Sequence, residues 1–210
     1  MRFKEFLLEN DAEDFQIEKF AKDCHQFLSD IKGIKASNIP VRGQKAAGTG
    51  DWDICDTKNA RASVHTDREL HNALNDFFEM EFNWRARENN ALFISGDIRT
   101  ANMYGTEYAC FPIGQYQSLW SPNVTDLFAD VYSIKTWIPK NPANLDEDDI
   151  DKIVSIIASY EWFHNSELQK GLSTVNEIIL GCKQYYVIKL DSKLYKEVVL
   201  PFLKSEGIVK

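Results

Sequence analysis

Three short apolar segments, each broken by one polar residue, constrain this chain most: Ile39-Pro40-Val41-Arg42-Gly43, Ala91-Leu92-Phe93-Ile94-Ser95-Gly96-Asp97 and Asn176-Glu177-Ile178-Ile179-Leu180. Runs this short and rich in β-branched and aromatic residues predict strands rather than helices. The third is followed by Gly181-Cys182-Lys183 and a second apolar run, Gln184 to Leu190, which together predict a hairpin. Tyr108 to Ile113 predicts another strand. Between them lie helical patterns. Ile17, Phe20, Ala21, Cys24, Phe27, Leu28 and Ile31 recur at helical spacing, predicting one amphipathic helix ending near Lys32-Gly33. Thr66 and Glu69 form a capping box ahead of Leu70, Leu74, Phe77 and Phe78. Ile98 to Tyr104 predicts a helical turn ended by Gly105. Asp146 to Asp149 supply acid to the first turn of a helix carrying Ile150, Ile153, Val154 and Ile157, after a connection marked by Pro139 and Pro142. A last helix spans about Ser192 to Lys204, with Pro201 a potential kink. Gly43 to Trp52, carrying Gln44 and Lys45, reads as a glycine loop, and Trp120-Ser121-Pro122 as a rigid turn with its aromatic either in the core or facing an acceptor.

This succession of helices and strands in 210 residues predicts a single α+β domain: a helical extension over 1–37, a core over 38–190 and a C-terminal helix over 191–210. A net charge of -8 argues against broad attraction to nucleic-acid phosphate. Cys24, Cys55, Cys110 and Cys182 are too scattered for a Cys/His metal pattern and read as reduced thiols of a cytoplasmic protein. The first residues carry charges among their apolar side chains, unlike a cleaved signal, and no apolar run reaches the ~18 residues of a membrane span.

Arg42 leaves an apolar strand for a glycine loop, and a planar guanidinium suits a diphosphate better than an ammonium does. Glu177 stands at a strand start among uncharged residues, where a carboxylate can stabilise a developing cation. Taken singly, each residue also fits a structural part: Arg42 in a buried ion pair, Ser95 closing a turn, Glu177 on an edge strand.

The order of the three segments resembles the Arg, Ser and Glu strands of the ADP-ribosyltransferases. Val41-Arg42-Gly43 is similar to the first motif, Phe93-Ile94-Ser95-Gly96-Asp97 to a Ser-Thr-Ser motif keeping only its first serine, and Asn176 to Leu180 with Tyr185-Tyr186-Val187 to the third. The resemblance covers Arg42 to Ile188. It implies a split, mainly antiparallel sheet and transfer of ADP-ribose from NAD, without a metal, to an unidentified protein or nucleic-acid acceptor. Arg42 and Gly43 would meet the diphosphate, Ser95 would brace the nicotinamide side, and Glu177 would orient the ribose and stabilise the oxocarbenium-like state. Tyr104, Phe111 and Tyr116 are the candidates to stack on nicotinamide. Arginine-specific members place a second glutamate where this chain has Val175, which disfavours an arginine acceptor. By family analogy the setting would be a toxin-like or phage-encoded effector. Plain NAD hydrolysis and a nonenzymatic, virion-associated binding protein keeping the fold are the alternatives.

Weaker signals point elsewhere. Gly43 and Gly48 have phosphate-loop separation, but Thr49-Gly50 stand where that loop needs Lys and Ser or Thr. His65 and His71 are six apart, the wrong spacing for two ligands on one helical face. Asp51 and Asp53 with His71 would define a metal-dependent hydrolase, the rival enzyme class, although such a carboxylate pair also fits a solvated turn.

Overall fold

The structure, a computed structural model, describes residues 14–44, 50–57, 67–88, 90–127, 130 and 145–210. Lys45, Gly48, Thr49, His65, Thr66, Pro139 and Pro142 lie outside these residues. The described chain combines helices with two antiparallel four-stranded sheets, as an α+β reading requires.

The first sheet contains β1 (Val41–Gln44), β4 (Thr106–Pro112), β8 (Gln184–Lys189) and β2 (Trp52–Asp56), in that order. The second contains β3 (Ala91–Ile94), β7 (Ile178–Gly181), β5 (Gln117–Trp120) and β6 (Phe163–His164). A bridge joins them, between Val41 of β1 and Ser95 just beyond β3; each backbone N–H donates to the other's carbonyl, at 2.8 and 2.9 Å.

Two expectations about strands need correction. The hairpin over 176–190 does not form, because β7 pairs with β3 and β5 while β8 pairs with β4 and β2. Ile178, Ile179 and Leu180 are buried, as are Tyr185 to Ile188, so each segment is central and needs a partner on both sides. The link of Gly181, Cys182 and Lys183 carries the chain from one sheet to the other, and Cys182 N–H and Lys183 C=O bond to Asn90 and Thr57 rather than closing a turn. The second correction is β2, read above as the end of a loop. It is an edge strand whose Trp52 and Ile54 pack toward the core while Asp53 and Asp56 are exposed. The alternation Trp-Asp-Ile was its sequence signal, and acidic side chains on an edge discourage further pairing.

The predicted N-terminal helix is two helices, α1 (Ile17–Asp23) and α2 (His25–Asp30). Cys24 breaks it with ψ at 9°, and its thiol contacts the carbonyl of Phe111 at 3.7 Å. No proline or glycine marks this break; a tertiary contact holds it. The pair belongs to the core rather than to an extension: Phe20 and Phe27 are fully buried against Phe111. The C-terminus returns to the same region, with Val209 bridging Ile34.

Three more helices follow in the chain, two against the second sheet and one against the first. α3 (Arg68–Phe82) is capped by Asp67, whose carboxylate accepts from the N–H of Glu69 and Leu70, so the cap falls one residue after the predicted Thr66. α4 (Ile98–Asn102) follows β3. α5 (Glu147–Ala158) begins as predicted, with Asp146 accepting from Asp149 N–H, and buries Ile150, Ile153 and Ile157 in a cluster with Leu70, Leu74, Phe78 and Ile179. A five-residue helix, α6 (Leu168–Leu172), precedes the Glu177 segment. The last helix starts as a π-helix over Leu194–Val199 and continues as α7 (Leu200–Ser205), with Pro201 at the junction of the two.

Candidate functional site

The split between the sheets gathers the three motifs. β1 carries Arg42, the bridge to Val41 holds Ser95, and β7 lies beside β3 with Glu177 immediately before its first residue.

Arg42 pairs in register with Tyr108, which pairs with Lys189, so these side chains share one face of the first sheet. Its Nε is buried without a hydrogen-bond acceptor among the described residues. The same guanidinium lies close enough to Cys110, Tyr185 and Cys55 to favour their charged forms, against burial that pushes the Cys110 thiol up to about 12. Such a thiol is inert near neutral pH. All four cysteines are free.

Gly43 is there for space. A Cβ on it would sit 1.7 Å from the carbonyl oxygen of Ala101 and 3.0 Å from Cβ of Tyr104. Its absence lets α4 lie directly on β1 and sets Tyr104 against the Arg42 strand. Tyr104 is half exposed, and its hydroxyl donates to Asp126. Burial, then Asp126 and Glu177, raise its pKa, so Tyr104 keeps its proton. Tyr104 is therefore close to Gly43 and within electrostatic range of Glu177.

Ser95 is 4 % exposed and its hydroxyl is occupied. The oxygen accepts from Asp97 N–H at 3.1 Å and donates to Val175 C=O at 3.5 Å, tying the end of β3 to the segment that leads into Glu177. Gly96 has no room for a side chain: a Cβ there would lie 1.7 Å from the carbonyl oxygen of Leu172. Asp97 caps α4 through Arg99 N–H and pairs with the Arg99 side chain, which holds its carboxyl below the usual carboxylate range.

Glu177 is anchored from both sides. Asn176 Nδ2 donates to Ser121 C=O at 2.7 Å, fixing the strand start to the end of β5. Glu177 Oε1 meets Arg87 Nη1 at 3.5 Å, with side-chain exposures of 19% and 10%. Arg87 and Asn176 are parts of this site that the sequence reading did not assign. Nothing local marks Arg87, which follows Arg85 in a turn and reaches the carboxylate only through the tertiary structure.

The aromatic candidates separate. Phe111 is fully buried edge-on between Phe20 and Phe27, and stands an odd number of positions from Tyr108, so it projects from the sheet face opposite Arg42. It cannot stack on a ligand, which corrects its place among the cofactor-binding candidates. Tyr116 packs on Phe27 and donates to Asp30 of α2 at 2.6 Å. Only Tyr104 among the three lies beside the motif strands. Trp120 belongs to the core, 1% exposed and stacked on Phe163 with centroids 4.8 Å apart.

The rival hydrolase residues are not brought together. Asp51 and Asp53 lie at the outer edge of the first sheet, and His71 on α3 against the second. Among the described residues no group of three or more His, Cys, Asp or Glu is placed to hold a metal ion, and no helix is long and apolar enough to cross a membrane. A cavity of about 480 Å³, lined by Trp84, Asn90, Gln117, Gly181 and Lys183 among others, opens at the far end of β7 from Glu177, roughly 13 Å along the strand, and contains none of the motif residues. No protein-family model matches the chain, and neither a curated protein nor a solved structure matches it.

Proposed function

We propose that this protein cleaves NAD at the nicotinamide–ribose bond and transfers ADP-ribose to a macromolecule other than an arginine side chain. The observation that carries this reading is the adjacency of Arg42, Ser95 and Glu177 where the two sheets part, with Tyr104 close to Gly43. Arg42, with an unmatched buried N–H, would clamp the diphosphate. Tyr104 offers a half-exposed ring to nicotinamide. Glu177 would face the ribose, where its charge stabilises the oxocarbenium-like state more than the ground state. Ser95 contributes through the backbone, because its hydroxyl is already committed to Asp97 and Val175.

The test is release of nicotinamide from labelled NAD in the presence of a cell lysate, with label on protein, on nucleic acid or only in free ADP-ribose separating the acceptors from hydrolysis. Glu177→Gln should bind NAD and lose most turnover per folded molecule. Folded fraction must be measured alongside, because the substitution leaves Arg87 buried without its counter-charge and should cost about 3 kcal/mol of stability, the low end for a broken buried pair. Undiminished turnover by Glu177→Gln would remove Glu177 from the mechanism, and no release by the unaltered protein would remove the reading itself.

A further inference from the structure

We infer that Arg87 is the positioning residue of Glu177, its guanidinium spanning the face of β3 and β7 to fix the carboxylate and hold it ionised; this rests on the proposed role of Glu177 in NAD cleavage. Arg87 is delivered by a rigid turn. Asn83 ends α3 in the left-handed conformation, with φ at 53°, and Arg85 then ties the turn back through ion pairs to Asp76, Glu79 and Glu88 at 2.6, 3.0 and 2.7 Å. The backbone N–H of Arg87 donates to Oδ1 of Asn75 at 3.0 Å, and Asn75 is fully buried, with its amide nitrogen donating to the carbonyl of His71 one helical turn back.

From there the guanidinium lies over the ring of Phe93, 5.3 Å from its centroid. Phe93 pairs with Ile179 across β3 and β7, two residues before Ser95 and two after Glu177, so ring, serine and carboxylate share one face. Both Nε and Nη1 are buried without a hydrogen-bond acceptor among the described residues, so the 3.5 Å contact with Glu177 acts through charge rather than through a directed bond. A pair serving stability alone would gain by the bidentate geometry that guanidinium and carboxylate readily adopt. Arg87, from the α3–β3 turn, is a cation in contact with Glu177, whereas Tyr104, within electrostatic range of it, is a neutral phenol bonded to the carboxylate of Asp126.

The experiment is a carboxyl-carbon NMR titration of Glu177 in the full chain and in Arg87→Met, with the pH profile of nicotinamide release measured on both. Removing the cation should move the Glu177 titration upward by about one pH unit or more, a tenfold or greater change in proton affinity. The acid limb of the activity profile should move with it. Arg87→Lys keeps the charge but loses the reach and the ring stacking, and should give an upward step of about half a unit. It serves where Arg87→Met does not fold. An unmoved titration in the folded variants overturns the role of Arg87 even if NAD is cleaved, whereas a shifted titration in a protein that releases no nicotinamide keeps the Arg87–Glu177 coupling and overturns only the NAD reading.

Discussion

Replacing Gly96 by alanine tests whether packing requires a residue without a side chain after Ser95. A Cβ at Gly96 would lie 1.7 Å from Leu172 oxygen and 2.6 Å from its carbonyl carbon, against a floor of 3.0 Å for real Cβ contacts, so at least 1.3 Å must be opened against backbone. That backbone is pinned: Leu172 oxygen accepts from Asn38 Nδ2 at 2.8 Å, Leu172 is fully buried, and the adjacent Gly171 packs on the indole of Trp120, where its own Cβ would come within 2.9 Å. Overpacking of this kind costs about 3 kcal/mol. Loss of the Asn38 hydrogen bond adds about 1 kcal/mol, and the stiffer unfolded chain offsets about 0.7 kcal/mol. The net of about 3 kcal/mol corresponds to a fall in Tm of roughly 6–12 °C for a chain of this size. Thermal unfolding followed by circular dichroism measures it. Gly114→Ala is the control, since Gly114 has φ at +71° and no neighbour within 4 Å, so it should lose only about 1 kcal/mol, from backbone strain. Because α6 leads through Val175 into Glu177, NAD cleavage by Gly96→Ala should fall further than its folded fraction. A Tm within about 2 °C of the parent would refute the packing account.

Arg42→Lys should weaken NAD binding about tenfold in a titration of folded protein, because an ammonium cannot reproduce the fork; a pure loss of Tm with unchanged affinity would make Arg42 structural. Asp97→Asn keeps a good helix cap but removes the charge that Arg99 stabilises. Asp97 has a lowered folded pKa, so its contribution is present above the unfolded carboxylate range and disappears as pH falls through the folded pKa. Tm measured from pH 6 to pH 2 should therefore decline less in the variant than in the parent, and parallel curves would show that the pair contributes nothing. Agmatine should accept no label above the rate of hydrolysis, since Val175 offers no base; Val175 is 42% exposed, so Val175→Glu can be tolerated and should raise arginine transfer if the loop presents the new carboxylate. Efficient agmatine labelling by the unaltered protein would require a base elsewhere, and Asp126, linked through Tyr104 toward Glu177, is better placed for it than the capping Asp97.

Local chemistry determined most of the elements. The strands at Val41, Ala91, Tyr108, Ile178 and Tyr185 follow from short β-branched and aromatic runs, and the helix after Asp146 from its acidic cap and the recurrence of isoleucine, because periodicity and capping act within one or two turns. Partnership was decided by tertiary structure. Gly181-Cys182-Lys183 is a turn signal, yet full burial on both sides sends β7 and β8 to different sheets, since each central strand must satisfy its N–H and C=O groups on both edges. Trp52-Asp53-Ile54 carried a strand alternation that neighbouring glycines and aspartates concealed, and Cys24 breaks a helix that its own sequence would continue. For the site, residue order marked Arg42, Ser95 and Glu177, while what surrounds them depends on contacts between residues far apart in the chain: Phe111 turned inward, Tyr104 set against Gly43 and bonded to Asp126, and Arg87 brought 90 positions along the sequence to its carboxylate. A desolvated charge needs a counter-charge in space rather than in sequence, and only the packed chain determines which one it meets.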